Sequence, residues 1–162
     1  MMERDYTIPA VFLVETYPVL VEERKYLNER VFGNWMNDSR SEEERLADAE
    51  NLRYIEWKVS VIEHTLRERL NDMERPIFRL SYGKRMNYKE IKEVYKRNTG
   101  KKLSNDKIVK AKRNIIACLK MEIQFCDTYE EEREFVHLLF DESVKWSALP
   151  GHDKKVKKGI GK

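Results

Sequence analysis

The sequence predicts an all-α protein, and three observations carry that reading. Gly and Pro number only 6 and 4 in 162 residues, too few for the turns of a strand-based architecture. Charged residues make up 38% and hydrophobic residues 41%, the balance of a chain built from amphipathic helices. Apolar residues recur at intervals of three and four, most clearly Leu52, Ile55, Val59, Ile62, Leu66 and Leu70. The length suits one good core or two small helical lobes.

From the N-terminus, Pro9 suits the first turn of a short helix that Tyr17-Pro18 should break. A second helix then runs from Pro18 to a Gly33 C-cap, with Leu20, Leu27 and Val31 on one face. The run Val11–Val14 also fits a strand, although helix is the preferred reading. Asn34–Ser41 is a polar break. Ser41 and Glu44 have capping-box spacing and open a helix over Glu42–Leu70, to which Trp57 and Val61 add a second apolar edge. His64 reads as a core or boundary histidine, with no acid or cysteine beside it at metal-ligand spacing.

Asn71-Asp72 caps a helix over Glu74–Tyr82, in which Ile77, Phe78, Leu80 and Tyr82 make the apolar contacts. The chain turns through Gly83–Met86. Asn87, with Glu90 at capping-box spacing, starts a helix whose inner side is Tyr88, Ile91, Val94 and Tyr95. Asn98–Lys102 is a turn by composition. Ser104 or Asn105 then caps a long helix that turns Ile108, Ala111, Ile115, Leu119 and Ile123 inward. The acidic run Glu130–Glu134 opens an amphipathic helix carrying Phe135, Val136, Leu138, Leu139, Phe140, Val144 and Trp146, closed by Pro150-Gly151. The expected division is a helical platform (1–71), a helix–turn–helix region (72–126), an accessory helix (127–150) and a disordered basic tail (151–162).

Several function classes lack their signatures. No apolar run approaches the roughly 20 residues of a membrane span. The N-terminus MMERDYTIPAVFLVE has no signal-peptide cleavage pattern, so a cytoplasmic location is expected. Cys118 and Cys126, two helical turns apart, would stand roughly 12 Å from each other, too far for a disulfide. Glycine-rich phosphate loops, Cys-x-x-Cys, His-Glu-x-x-His and Gly-x-Ser-x-Gly are missing, and His64, His137 and His152 are scattered. The expectation is a non-enzyme without cofactor or metal.

The positive signal is where the charge lies. Residues 1–75 hold 11 Lys/Arg against 17 Asp/Glu, whereas residues 81–126 hold 13 against 4. Such a local excess is the footprint of a phosphate-binding surface. It coincides with helix caps and with a long helix that is polar and basic at its start and apolar at its end. That order suits a helix whose first turns enter a major groove while its later turns pack in protein. Ser104, Asn105, Lys107, Lys110, Arg113 and Asn114 are the candidates for base or near-base contacts. Lys84, Arg85, Asn87, Lys89, Lys101 and Lys102 are the candidates for phosphate contacts.

The segment MERPIFRLSYGKRMNYKEIKEVY…LSNDKIVKAKRNIIACLK resembles region four of sigma factors, through Phe78, Leu80, Tyr82, Tyr88, Glu90, Ile91 and Ile108. With Thr16-Tyr17-Pro18 and the Glu42–Leu70 helix, the chain is similar to phage late-gene transcription activators of the RinA and ArpU type over roughly Tyr17–Ile123. The turn Lys96–Leu103 is longer than the tight turn of a sigma-like motif, and the Glu130–Trp146 helix has no counterpart there. The resemblance implies sequence-specific binding of double-stranded DNA, activation of phage or prophage late genes in a bacterial cell, and host RNA polymerase as a partner. The Phe135–Trp146 helix is the expected homodimer contact. Two alternatives stand beside this reading: a phage DNA-packaging component such as a small terminase subunit, and a helical adaptor that binds only protein.

Overall fold

The computed structural model describes residues 4–33 and 40–149. They form an all-α fold of six helices, with no strand among the described residues: α1 (Thr7–Phe32), α2 (Glu42–Glu68), α3 (Glu74–Phe78), α4 (Tyr88–Thr99), α5 (Asn105–Cys126) and α6 (Glu130–Ser147). A π-helical turn, Arg79–Gly83, extends α3. Residues 34–39 of the expected polar break, Pro150 of the expected helix end and the tail 151–162 lie outside the described residues.

The expected break at Pro18 does not occur, and α1 is one helix of 26 residues with Pro18 inside it. Ala10, Val11, Phe12, Leu13 and Val14 are all buried, so this part of α1 is enclosed on every side. Burying each large apolar side chain contributes about 1.5–3 kcal/mol, so the group outweighs the roughly 3 kcal/mol that an interior proline costs. Gly33 does close the helix, and a Cβ there would stand 2.0 Å from the Glu29 carbonyl oxygen.

The buried side chains fall into two cores. The larger is built from α1, α2, α6, the later half of α5 (Ile115 to Cys126), Phe78 and Tyr82. All six periodic positions from Leu52 to Leu70 are in it, although α2 ends at Glu68 and Leu70 lies just beyond the helix rather than at its expected last position. The smaller core is Ile77, Leu80, Ile91, Leu103, Ile108 and Ala111, rimmed by Met73, Met86, Tyr88, Val94 and Tyr95. The segment from α3 through its π turn belongs to both cores, giving Ile77 and Leu80 to one and Phe78 and Tyr82 to the other. An ordinary helix over Glu74–Tyr82 is therefore corrected. Its last turn widens, with the Lys84 amide donating to the Arg79 carbonyl at 2.9 Å, and the extra residue in the ring lets Leu80 and Tyr82 serve opposite cores.

Helix α6 also departs from expectation. It lies along α1 and α5 rather than standing apart as an accessory arm. Phe12 meets Trp146 with ring centroids 5.4 Å apart, Tyr6 meets Phe140 at 5.4 Å, and Phe135 stacks on Trp57 at 5.5 Å. Trp57 Nε1 donates to Glu132 Oε1 at 3.1 Å, and the buried Lys58 ammonium donates to Glu142 Oε1 at 2.7 Å. The Phe135–Trp146 face is thus used up within the fold and is not free as a homodimer contact. Leu138 and Val144 are the large apolar residues that α6 leaves outward.

Candidate nucleic-acid interface

The small core positions the basic stretch. Asn87 caps α4 with a full capping box: its side-chain oxygen accepts from the Glu90 amide at 2.9 Å, and Glu90 Oε1 accepts from the Asn87 amide at 3.2 Å. Helix α4 runs on to Thr99 and ends at Gly100, whose φ of 74° is left-handed. The connection to α5 is therefore residues 100–104, two residues later than the Asn98–Lys102 turn read from composition and shorter than the Lys96–Leu103 turn set against the sigma-like motif. Leu103 is buried and pins this connection to the small core. Ser104 then caps α5, its Oγ accepting from the Lys107 amide at 3.2 Å.

On α5 the expected division into faces holds. Ile108, Ala111, Ile115, Leu119 and Ile123 are each at most 2% exposed. Ser104, Asn105, Lys107, Lys110, Arg113 and Asn114 are exposed, as are Lys84, Arg85, Asn87, Lys89, Lys101 and Lys102. All twelve lie on the lobe around the small core.

Electrostatics separate this lobe from the rest of the chain. Arg30, Lys58, Arg69 and Arg75 are held by carboxylates at 2.7–3.0 Å. Among the described residues, no Lys or Arg from Lys84 to Arg113 is in an ion pair. A cation without a carboxylate partner keeps its full attraction for a phosphate. Asp106, an exposed acid in the first turn of α5, opposes an anion at the helix end, so the flanking Lys101, Lys102 and Lys107 are better placed for phosphate.

Four of the twelve residues are partly committed. Asn114 Nδ2 donates to Glu74 Oε2, and Glu74, a buried acid, also accepts from the Asn71 amide at 3.0 Å. Asn114 therefore ties α5 to α3, and its amide nitrogen is engaged. Arg85 adopts a left-handed backbone with φ 54° and donates from Nη2 to the Glu15 carbonyl at 3.3 Å. Asn87 and Ser104 each accept a cap hydrogen bond on the side-chain oxygen, and the Ser104 hydroxyl keeps its proton to donate.

Sequence reasoning missed Lys112. Its ammonium lies 5.2 Å from the centre of the Tyr82 ring and 5.6 Å from that of Tyr88, where α5 meets the ends of α3 and α4. Burial holds its pKa below the usual lysine range. The signal was its place beside the inward Ala111, which puts it on the boundary of the helix rather than among the exposed lysines.

His64 is a boundary residue as expected, and the fold brings to it an acid that sequence spacing could not show. Its Nδ1 lies 2.8 Å from Oε1 of the buried Glu122, whose Oε2 accepts from Arg69 Nε at 2.8 Å. No group of His, Cys, Asp and Glu among the described residues could hold a metal ion. Cys118 and Cys126 are free thiols. No helix among the described residues is long and apolar enough to cross a membrane. Comparison of the chain with protein-family models, curated proteins and solved structures finds no match.

Proposed function

We propose that this chain is a sequence-specific double-stranded-DNA-binding regulator of transcription, in which the first turns of α5 read the major groove. The observation that carries the proposal is the set of exposed cations from Lys84 to Arg113, unpaired among the described residues and gathered around two capped helix starts. Lys107, Lys110 and Arg113, with Ser104 and Asn105, supply donors for base edges and nearby phosphates. Lys84, Lys89, Lys101 and Lys102 grip the backbone, and Arg85 adds to them from its bond to Glu15. The likeness to sigma region four and to RinA- and ArpU-type activators adds phage late-gene promoters as the target and host RNA polymerase as the partner.

The test is fluorescence anisotropy of the protein on labelled duplex across a salt series. Contact with about five to seven phosphates should give log K against log salt a slope of about −4.5 to −6.3. Duplexes enriched from a random pool should then bind at least ~10³-fold more tightly than a scrambled duplex at the same salt. Affinity that does not change with salt would overturn the proposal, and salt-dependent affinity without enrichment would overturn its sequence-specific part. A solution mass of a large closed ring would favour DNA packaging instead.

A further inference from the structure

The outer face of α5 changes character halfway along. Lys107, Lys110 and Asn114 occupy it over the first turns. Continuing at helical spacing come Ala117, Met121 and Phe125, all exposed, with Gln124 beside them. Met121 is 55% exposed, Phe125 49% and Tyr129 44%, and the Phe125 and Tyr129 rings meet edge-on 5.1 Å apart. From Asn114 to Tyr129 no exposed residue is charged, in a chain that is 38% charged; Lys120 and Asp127 are half-buried at the rim, and Asp127 is held by Arg4 and Tyr6. This is an apolar stripe on a rigid helix, left uncovered by every other described element of the fold.

We propose that the stripe is a self-association surface and that its occupant is the same stripe of a second copy running antiparallel. Two features select that occupant. A two-fold contact sets each residue near the axis against its own counterpart, so any charge there would repel itself, and the exposed residues of the stripe carry none. Lys110 and Arg113 precede the stripe, while the exposed Glu130 and Glu131 follow it. An antiparallel copy therefore meets opposite charge at both ends, whereas a parallel copy meets like charge. Three half-exposed large side chains offer less than the roughly 800 Å² that each partner gives a standard interface. The pair is accordingly reversible, with a micromolar dissociation constant.

Sedimentation of the full chain without DNA tests this independently of the regulator reading. The mass should rise from 19.5 kDa towards twice that value across the micromolar range. Phe125→Glu and Met121→Glu should each raise the dissociation constant at least tenfold while leaving the circular-dichroism spectrum and the Tm unchanged. Direction is read from cysteine cross-linking. Gln124→Cys lies near the axis and should link to its own copy. Ala117→Cys, about 9 Å along the helix from the centre near Ile123, should not, because antiparallel copies hold those positions roughly 18 Å apart, beyond disulfide reach. A monomeric mass at every concentration, or a dimer indifferent to Phe125→Glu, would overturn the proposal. Cross-linking through Ala117→Cys would overturn the antiparallel arrangement.

Discussion

Lys110 and Asn114 stand one turn apart on the same outer face of α5, yet the structure gives them different work, and this difference is measurable. Lys110 is exposed with no ion-pair partner among the described residues, so its truncation should change binding and not stability. One phosphate contact contributes about 0.9 to the slope of log K against log salt. At about 0.1 M salt the same contact accounts for roughly 8-fold in affinity, or about 1.2 kcal/mol. Lys110→Ala should therefore flatten the salt slope by about 0.9, weaken binding about 8-fold and leave Tm unchanged. Asn114 donates to the buried carboxylate of Glu74. A hydrogen bond to a charged group contributes about 1.5–3 kcal/mol, and partial exposure reduces that here to about 1–2 kcal/mol. For a chain of this size the Tm of Asn114→Ala should fall by about 2–8 °C, with the salt slope unchanged. Scanning calorimetry and anisotropy titrations on the two variants settle the matter. If both lower the slope and neither lowers Tm, the assignment of Asn114 to the fold is wrong.

Pro18→Ala should stabilise the protein by about 2 kcal/mol in denaturant titrations, because it restores an N–H to the carbonyl four residues back in the buried part of α1. Gly100→Ala forces an alanine into a left-handed backbone at φ 74°, and Tm should fall by about 2–8 °C. Burial, with Glu132 and Glu122 nearby, pushes the Cys126 thiol from 9.0 up to about 12. Because the folded pKa is raised, the stability associated with this group is complete below pH 9 and is lost as pH rises towards 12. Cys126→Ala should then show a shallower loss of stability over that interval in urea titrations at stepped pH. A fragment of residues 72–126 should fail to give a cooperative melt, since it strips the partners from Phe78, Tyr82 and the later half of α5.

The helices themselves were legible. Periodicity gave α2 and the inward face of α5, and the caps at Ser41, Asn87 and Ser104 fixed three starts to within a residue. These are local signals, set by backbone groups at most a turn apart. What was not legible depended on distance in the chain. Pro18 is a helix breaker by local rules and is overruled by the enclosure of Ala10–Val14, which only the packed fold reveals. The amphipathic pattern of α6 said that one face must be buried but not that Phe12 and Trp57 would do it. Asn114 looked like a base reader because its partner, Glu74, lies 40 residues away. The exposed lysines were found from sequence because a charge on the outer side of an amphipathic helix needs no knowledge of the rest of the chain.

The boundary drawn at residue 71 fails for a reason that bears on how the basic surface works. Helix α5 seals the small core with Ile108 and Ala111 and the large core with Ile115 through Cys126, and the segment from α3 through its π turn does the same with alternating residues. Six buried residues around α4 are too few to fix a helix by themselves. The first turns of α5 instead inherit their position from the half of the helix clamped among α1, α2 and α6. The lobe bearing the lysines is thus an extension of the platform. Its small core shapes the α4–α5 connection, and the large core sets where the end of α5 points. On the regulator reading, the N-terminal helices are part of the DNA-binding apparatus, because they hold the reading helix still when its exposed turns meet the duplex.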